Sequence, residues 1–235
     1  MKTHRFFVDQ NLEEPGDITI TDQSVIHKMR DVLRLRKGDP VILLDGVGNM
    51  LHGQVKVLMK KSSIISKEKM KKVPQDFHSD FVSVKLCSAM IKKDKYEWVL
   101  QKCTEIGVSE FQPIISDRTE KLNLNMERAD KIVREASEQS ERDNLPIVSQ
   151  PMSLEDVLQN CETLKIAFDG SGEKIEVSQL KSQKELCIFV GPEGGWSEKD
   201  IELFKRHDVK IVSLGDRVLR AETASVAVAS LLLLG

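Results

Sequence analysis

From residue 80 onward, the sequence alternates between short apolar runs and longer segments with helical periodicity. The apolar runs predict strands at Phe81–Cys87, Glu110–Ile115, Leu164–Phe168, Leu186–Val190 and Lys210–Leu214. The segments between them predict helices near Tyr96–Ile106, Met126–Glu141, Leu154–Gln159, Glu198–His207 and Glu222–Leu234. Strands that alternate with helices along a chain typically form one parallel sheet with helices on its faces. The pattern therefore predicts an α/β fold with a mostly parallel sheet.

The residues before this pattern predict a small, mostly β domain with one helix. Strands are predicted at Val41–Leu44 and Leu51–Leu58, and another can pass through Ile64 and Ile65. Thr21 and Asp22 could cap a short helix, whose apolar face would contain Val25, Ile26, Met29, Val32 and Leu33. A lysine-rich stretch ends at Pro74. We place the boundary there, which gives domains 1–73 and 74–235.

Composition excludes several classes of protein. A chain of 235 residues that is 40% hydrophobic and 31% charged suits a globular protein with an adequate core. Its longest strictly apolar run, Leu231–Leu234, is too short to span a bilayer, and no secretory leader is evident, so a cytoplasmic location is expected. The four cysteines form no CxxC pair, which argues against zinc and disulfides; they are Cys87, Cys103, Cys161 and Cys187. We interpret them as small buried hydrophobic residues.

Positive charge is concentrated near the beginning of the chain. Residues 1–72 contain 14 Lys and Arg against 9 Asp and Glu, whereas the remainder is acidic. The polar face of the predicted helix offers Lys28, Arg30 and Arg34, and Arg36 and Lys37 follow in a turn. This asymmetry favours an anionic partner for the first domain. Ordinary solvated charge is the alternative.

A glycine-rich loop, GPEGGWS at residues 191–197, lies between a predicted strand and a predicted helix. Its glycines leave backbone amides accessible at a sharp turn, and Ser197 with Asp200 can form a capping box for the helix. Phosphate is the usual ligand at such a position. Because Glu193 adds a negative charge and no P-loop lysine follows, a neutral or cationic ligand is favoured. A purely structural turn is the alternative.

A second loop, LGDRVLRAETA at residues 214–224, repeats the strand, glycine turn and helix arrangement. Glu222 would lie at the positive end of the helix dipole, and Arg220 could contact a ligand or pair with Glu222. The small residues from Ala221 to Ser230 would allow close packing against another element, including a partner subunit.

Upstream, one predicted helix face carries Glu135, Glu138, Gln139 and Arg142. That face is either solvated, or Gln139 and Arg142 bind a nucleotide base or phosphate.

Together these motifs resemble the RsmE family of ribosomal RNA methyltransferases, which belongs to the SPOUT superfamily of trefoil-knotted proteins. The resemblance spans nearly the whole chain. It rests on HRFF at 4–7, HKMRDVLRLRKGD at 27–39, QKCTEIGV at 101–108, EASEQSERDNLP at 135–146, GPEGGWS at 191–197 and LGDRVLRAETA at 214–224. The chain departs from the common family pattern by having Ala221 in place of Thr, Asp143 in place of Asn and Trp196 in place of Phe.

The resemblance implies an N-terminal PUA-like β-barrel that binds RNA and a C-terminal knotted domain that binds S-adenosylmethionine. It also implies a homodimer that methylates N3 of a uridine in 16S rRNA, as free RNA or within the small ribosomal subunit, without a metal. The implied cofactor positions are Gly191, Glu193, Gly194, Gly195, Leu214, Gly215, Val218 and Leu219. The implied RNA-binding positions are Arg30, Arg34, Arg36, Lys37, Gln139 and Arg142.

Two residues are expected to carry the chemistry. Arg220 would stabilise negative charge on a uracil carbonyl oxygen, and Glu222 would orient Arg220 or relay the N3 proton. Two other functions remain open. The chain could be a non-enzymatic RNA-binding factor for ribosome assembly, or a SPOUT methyltransferase that acts on another RNA position.

Overall fold

The computed structural model describes residues 3–46, 48–73, 82–120, 123–174, 180 and 182–234. The chain forms two compact units. The first contains Met1–Asp76 and Ser137–Leu145, and the second contains Phe77–Ala136 and Pro146–Gly235. The limits that we drew from the sequence, 1–73 and 74–235, stay a prediction. The predicted limits place residues 137–145 in the second domain, whereas in the structure these residues group with the first unit.

The first unit is built on a five-stranded sheet in the order β1-β3-β4-β5-β2. Its strands are β1 (His4–Phe7), β2 (Ile18–Ile20), β3 (Pro40–Leu44), β4 (Asn49–Leu58) and β5 (Ser63–Lys72). Strand β1 runs parallel to β3, and the other pairs are antiparallel. Side chains alternate between the faces of a strand, so one face carries a core that includes Phe6, Leu43, Leu51 and Ile65. The strand that the sequence allowed through Ile64 and Ile65 is present as the ten-residue β5.

The short helix of this unit begins as predicted but changes its winding. Helix α1 (Gln23–His27) starts at Asp22, whose carboxylate accepts hydrogen bonds from the Ser24 and Val25 amides at 2.7 and 3.4 Å. A π-helical turn, Lys28–Val32, follows directly. The wider turn rotates the later positions relative to a 3.6-residue period. The prediction that Val32 joins the apolar face was therefore wrong, because Val32 is 62% exposed.

Residues 137–145 pack within the first unit through polar and apolar contacts. Glu138 accepts a hydrogen bond from the Phe7 amide at 3.0 Å and forms an ion pair with Lys28. Asp143 forms an ion pair with Arg5 of β1. Leu145 packs against a small apolar cluster on the second face of the sheet. The carboxylate at residue 143, where the resembling family commonly has Asn, is thus the partner of Arg5.

The second unit contains a seven-stranded sheet. The path β12-β10-β11-β6-β7-β8 accounts for six strands, and β9 also pairs with β7. The strands are β6 (Ser83–Ala89), β7 (Glu110–Ile115), β8 (Ile147–Val148), β9 (Met152–Ser153), β10 (Leu164–Lys174), β11 (Glu185–Val190) and β12 (Lys210–Ser213). Every strand pair in the described part of this sheet is parallel. The predicted α/β class is confirmed; Phe81, where we expected β6 to begin, lies outside the described residues.

Helices cover both faces of this sheet. They are α2 (Lys93–Ile106), α3 (Met126–Gln139), α4 (Leu154–Gln159), α5 (Glu198–Arg206) and α6 (Ala221–Leu233). Side chains of α2, α3 and α6 share one buried cluster, and those of α4 and α5 share another. Gly107 ends α2 with φ of 118°, as a left-handed C-cap requires. Helix α3 ends two residues earlier than predicted, and Glu141 has φ of 61°, so Arg142 does not continue the helix face.

The cysteines mostly behave as expected. Cys87, Cys103 and Cys187 are buried and Cys161 is partly buried, and all four are free thiols. Burial raises the pKa of the Cys103 thiol well above its usual value, so it stays protonated.

Each helix in the described ranges is too short or too polar to cross a membrane.

Candidate active site

A cleft of about 730 Å³ opens in the second unit where three strands reach their carboxyl ends. It lies beside the connections that follow β6, β7 and β11 and beside the start of α6. In α/β sheets, ligands commonly bind at the carboxyl ends of the strands. The cleft is lined by Met90, Ile91, Lys92, Lys95, Arg118, Glu120, Glu193, Gly194, Arg220 and Glu222.

The glycine-rich loop connects β11 to α5 as the sequence predicted. The Ser197 hydroxyl accepts a hydrogen bond from the Asp200 amide at 3.2 Å, and the Asp200 carboxylate accepts one from the Ser197 amide at 2.9 Å. This reciprocal pair is the predicted capping box. Gly195 has φ of 68° and its amide donates to the Pro192 carbonyl at 2.9 Å, which closes the turn.

The glycine at 191 has a packing role that the sequence did not indicate. A Cβ atom at this position would lie 3.1 Å from Cε2 of the Trp196 indole. Trp196 is held in place, since its Nε1 donates to the Phe168 carbonyl at 3.0 Å and its ring packs edge-on against Phe204 at 4.8 Å between centroids. The absence of a side chain at residue 191 therefore leaves room for the indole.

Arg118, which no sequence motif singles out, joins the loop after β7 to the glycine-rich loop. Its Nη1 donates to the Gly194 carbonyl at 2.6 Å, and a Cβ on Gly194 would lie 3.5 Å from Cδ of Arg118. Both residues line the cleft. No sequence pattern indicates this contact, because an arginine in a polar turn has no distinctive spacing and Gly194 is 76 residues away.

Two further contacts hold the Arg118 turn against the start of α5. The Asp117 amide donates to the buried Asp200 carboxylate at 3.3 Å, so the capping-box residue also serves the neighbouring loop. Lys199 pairs with the Asp117 carboxylate at 3.2 Å. Hydrogen bonds from Lys199 and then Ser197 lower the pKa of the Asp117 carboxyl below its ordinary value. The two loops thus form one connected wall.

The second glycine loop connects β12 to α6 and is largely exposed. The Ser213 hydroxyl accepts from the Gly215 amide at 3.1 Å, which starts the turn. Val218 is fully exposed and Leu219 is 37% exposed. Of the predicted cofactor positions, Glu193 and Gly194 line the cleft. The others lie on the two loops outside its lining; they are Gly191, Gly195, Leu214, Gly215, Val218 and Leu219.

Arg220 and Glu222, the predicted catalytic pair, both face the cleft, but they are not partners. Helix α6 begins at Ala221, so Glu222 lies in its first turn, near the positive end of the helix dipole. Its carboxylate lies 3.5 Å from Nζ of Lys95 and is 10% exposed. Among the described residues, no carboxylate is within ion-pair distance of Arg220. Of the two roles that the sequence left open for Arg220, the ion pair with Glu222 does not form. Glu222 pairs instead with Lys95, which sequence spacing could not reveal.

The predicted RNA-binding residues lie in the first unit in two groups. Arg30 is held by its neighbour Asp31 through two hydrogen bonds of 2.8 and 2.7 Å. The exposed side chains that follow in the turn before β3 are Arg34, Arg36 and Lys37. Gln139 is exposed at the end of α3, whereas burial lowers the pKa of Arg142 to about 10.

The described residues contain no group of three or more His, Cys, Asp or Glu side chains arranged to hold a metal ion. The cleft presents four cationic and three anionic side chains around a glycine-rich loop. Side chains of these kinds can place charge beside a bound ligand and can exchange protons with it.

Comparisons with known proteins show the family to which this chain belongs. Residues 78–233 match the family described as RNA methyltransferase domain. Ribosomal RNA small subunit methyltransferase E of Rickettsia conorii is 32% identical, and the match covers all of this chain and 97% of that protein. The chain is also similar to the solved structure of ribosomal RNA small subunit methyltransferase E from Neisseria gonorrhoeae bound to S-adenosyl methionine. That likeness has a TM-score of 0.85 and 25% identity, over 97% of this chain and 96% of the other.

A protein from Legionella pneumophila, solved in complex with the cofactor SAM, gives a TM-score of 0.86 at 25% identity. The match covers 99% of this chain and 97% of that one. Full-length similarity in sequence and in structure thus coincides with the family match. The chain belongs to the ribosomal RNA small subunit methyltransferase E family of RNA methyltransferases.

Proposed function

We propose that this protein transfers the methyl group of S-adenosylmethionine to N3 of a uridine in 16S rRNA. The observation that carries the proposal is the convergence of Arg220, Glu222 and the Glu193–Gly194 segment on one cleft. These groups come from two loops that are separate in sequence. Membership of the family supports methyl transfer to RNA as the reaction, and the cleft is the candidate location for that reaction.

The residues around the cleft fit S-adenosylmethionine. The cofactor supplies a methyl group on a positively charged sulfur, and the Glu193 carboxylate at the cleft favours a cationic ligand over phosphate. The exposed apolar side chains of Val218 and Leu219 offer a surface for its adenine. We assign cofactor binding to Gly191, Glu193, Gly194, Gly195, Leu214, Gly215, Val218 and Leu219.

The side chains of the cleft suit the proton chemistry of N3. This nitrogen carries a proton at neutral pH, and its removal leaves negative charge on the uracil carbonyl oxygens. Arg220 faces the cleft without a carboxylate partner among the described residues, so its guanidinium is available to that charge. Glu222 accepts or relays the proton, while Lys95 holds its carboxylate in place. S-adenosylmethionine, when bound, would supply the methyl group that N3 gains, and these side chains would hold N3 in position to accept it.

We assign RNA binding to Arg30, Arg34, Arg36, Lys37, Gln139 and Arg142 of the first unit. The exposed turn at residues 34–37 presents three cations, which suits phosphate contacts that position an RNA. The sheet of this unit is compatible with a PUA-like β-barrel at residues 1–73, and the parallel sheet of the second with a trefoil-knotted SPOUT domain at residues 74–235. Methylation of ribosomal RNA also favours a cytoplasmic location.

We further propose a homodimer. Helix α6 and its C-cap have small and apolar side chains on one surface, where Thr223, Leu231 and Leu234 are exposed and Ala227 is half-buried. Leu231 is 39% exposed and Leu234 is 68% exposed. Surfaces of this kind commonly mediate association. Sedimentation of the purified protein should give twice the chain mass, and a monomer at micromolar concentration would contradict the proposal.

The function is tested by comparing nucleosides of small-subunit RNA from a deletion strain and from wild type by mass spectrometry. Loss of 3-methyluridine on deletion, and its return when purified protein and S-adenosylmethionine are added to deletion-strain subunits, is the expected result. Loss of a different methylated nucleoside would favour another RNA position. An unchanged nucleoside profile, with no cofactor binding by calorimetry, would favour a non-enzymatic assembly factor.

A further inference from the structure

A second cavity, of about 380 Å³, lies between α2 and the start of α3 in the second unit. We call it the α2–α3 pocket. One helix face forms much of its wall, because Lys93, Tyr96, Glu97 and Leu100 follow the i, i+3, i+4, i+7 spacing of α2. The opposite wall is residues 123–125 and the first turn of α3. None of these residues has a role in the chemistry described above.

The pocket has an apolar floor. Ile91, Tyr96, Leu100 and Ala129 are each less than 5% exposed, and Leu124 packs beside them. The Tyr96 hydroxyl points into the protein, where it lies 3.4 Å from the Ser88 hydroxyl, so only its ring is available to the pocket. The volume exceeds that of a single nucleobase, and a mostly apolar lining with a few polar groups is typical of ligand sites.

The rim of the pocket is charged, with cations in excess. Arg128 donates to Glu97 at 3.2 and 3.4 Å and thereby connects α3 to α2. Lys93 lies 3.9 Å from the same carboxylate and is 79% exposed. Two cations thus share one anion. An apolar floor below a cationic rim complements a nucleotide, whose base is flat and weakly polar and whose phosphate is anionic.

The α2–α3 pocket adjoins the catalytic cleft. Met90 and Ile91, which connect β6 to α2, line both cavities. A ligand that extends from the cleft across these two residues enters the pocket. A polynucleotide does so naturally, because an enzyme that acts on a base must take that base out of its stack and must then hold the strand beside it.

We propose that the α2–α3 pocket binds the nucleotide next to the target uridine, with its base on the apolar floor and its phosphate at Lys93 and Arg128. The inference rests on the proposed function, since it extends the same RNA substrate by one residue. In this arrangement the α2–α3 pocket contacts the nucleotide beside the target, whereas Arg220 and Glu222 act on the target uridine itself.

The experiment pairs changes in the RNA with changes in the pocket. The substrate is a synthetic RNA around the uridine that mass spectrometry identifies, with an abasic residue placed in turn on either side. For the wild-type enzyme, one of the two abasic RNAs should raise KM for RNA by about tenfold, as expected for loss of one stacked base. The Kd for S-adenosylmethionine should stay unchanged.

The protein variants are Leu124→Ala for the floor and Arg128→Gln for the rim. Each should raise KM for intact RNA by about fivefold or more, and Leu124→Ala should respond less than wild type to the abasic change, because the two changes remove the same contact. Lys102→Gln is the matched control, since Lys102 lies on α2 but pairs with Glu105 at 2.9 Å away from the pocket.

Several results would overturn the inference. The first is an equal KM of the wild-type enzyme for the abasic RNAs and for intact RNA. This comparison uses no protein variant, so the folding of a variant cannot affect it. Independent effects of Leu124→Ala and the abasic change would also overturn the inference, as would a pocket variant that weakens S-adenosylmethionine binding instead. If the wild-type enzyme methylates no RNA, the proposed function fails; if it methylates normally and these couplings are absent, only the pocket assignment fails.

Discussion

Lys95 and Glu222 form an ion pair of 3.5 Å that connects the first turn of α2 to the first turn of α6 across the candidate active site. Glu222 is largely buried, and Lys95 is 41% exposed. A mostly buried carboxylate needs a fixed partner to keep its position and charge. The pair therefore determines where the proposed proton acceptor lies relative to Arg220.

Replacing Lys95 with Gln should lower kcat by about tenfold, which corresponds to about 1.4 kcal/mol of transition-state stabilisation. The physical reason is loss of the cation that holds Glu222, and the Kd for S-adenosylmethionine should change little. Single-turnover methylation and calorimetry measure the two quantities. Lys102→Gln on the same helix serves as the control. Equal kcat values for Lys95→Gln and Lys102→Gln would rule out a positioning role for Lys95.

Replacing Arg220 with Ala should reduce kcat by about 10²–10³, the usual effect of removing one donor that stabilises a developing oxyanion. Stability should be nearly unchanged, because within the described ranges Arg220 makes no ion pair. The control is Arg217→Ala, an exposed cation on the same loop that does not line the cleft. Near-normal turnover of Arg220→Ala at saturating RNA and cofactor would remove Arg220 from the mechanism.

Replacing Arg118 with Ala should weaken S-adenosylmethionine binding by about tenfold, because the Gly194 carbonyl loses its charged donor and the glycine-rich loop loses a tie to its neighbour. Arg118→Lys should restore part of the affinity. Lys199→Gln removes only the exposed pair with Asp117 and should have little effect. Calorimetric titration with the cofactor decides; identical affinities in all three variants would count against a loop-positioning role.

Replacing Gly191 with Ala should destabilise the protein by about 1–3 kcal/mol, since the new methyl group meets the fixed indole of Trp196. Urea denaturation measures the change. Gly170→Ala is the control, because a Cβ there meets no atom within 4 Å. The cost should fall when Gly191→Ala is made in a Trp196→Phe background. Equal costs in both backgrounds would mean that contact with the indole is not the cause.

The Asp31 carboxyl should titrate well below its usual range. Hydrogen bonds from Arg30, and then from His27, lower its pKa from 3.8 to about 2. Because the folded protein releases this proton more readily than the unfolded chain, the contribution to stability is complete above about pH 4 and is lost as the pH falls toward 2. NMR-monitored titration of the side chain measures the pKa. A value near 4 would mean that Arg30 is not engaged by Asp31 in solution.

Much of the fold follows from local sequence patterns. Strand β7 (Glu110–Ile115) and helix α4 (Leu154–Gln159) have the predicted limits, and the capping box at Ser197 and Asp200 forms as expected. These features depend on residues a few positions apart, so periodicity and spacing are sufficient to find them. Local patterns fail where the winding changes, as at Val32 after the π-helical turn, and where a helix ends early, as before Arg142.

Local patterns were sufficient to predict the parallel α/β class, the two glycine loops and the position of Arg220 and Glu222 beside the second loop. The three-dimensional fold sets which groups meet: Lys95 with Glu222, Arg118 with Gly194, and Trp196 with Gly191. The first two of these contacts join residues far apart in the chain, where no spacing rule applies. A short-range sequence pattern reflects local backbone geometry. Two residues on opposite sides of a cleft come into contact only after the whole sheet has formed and has brought distant loops to the same edge.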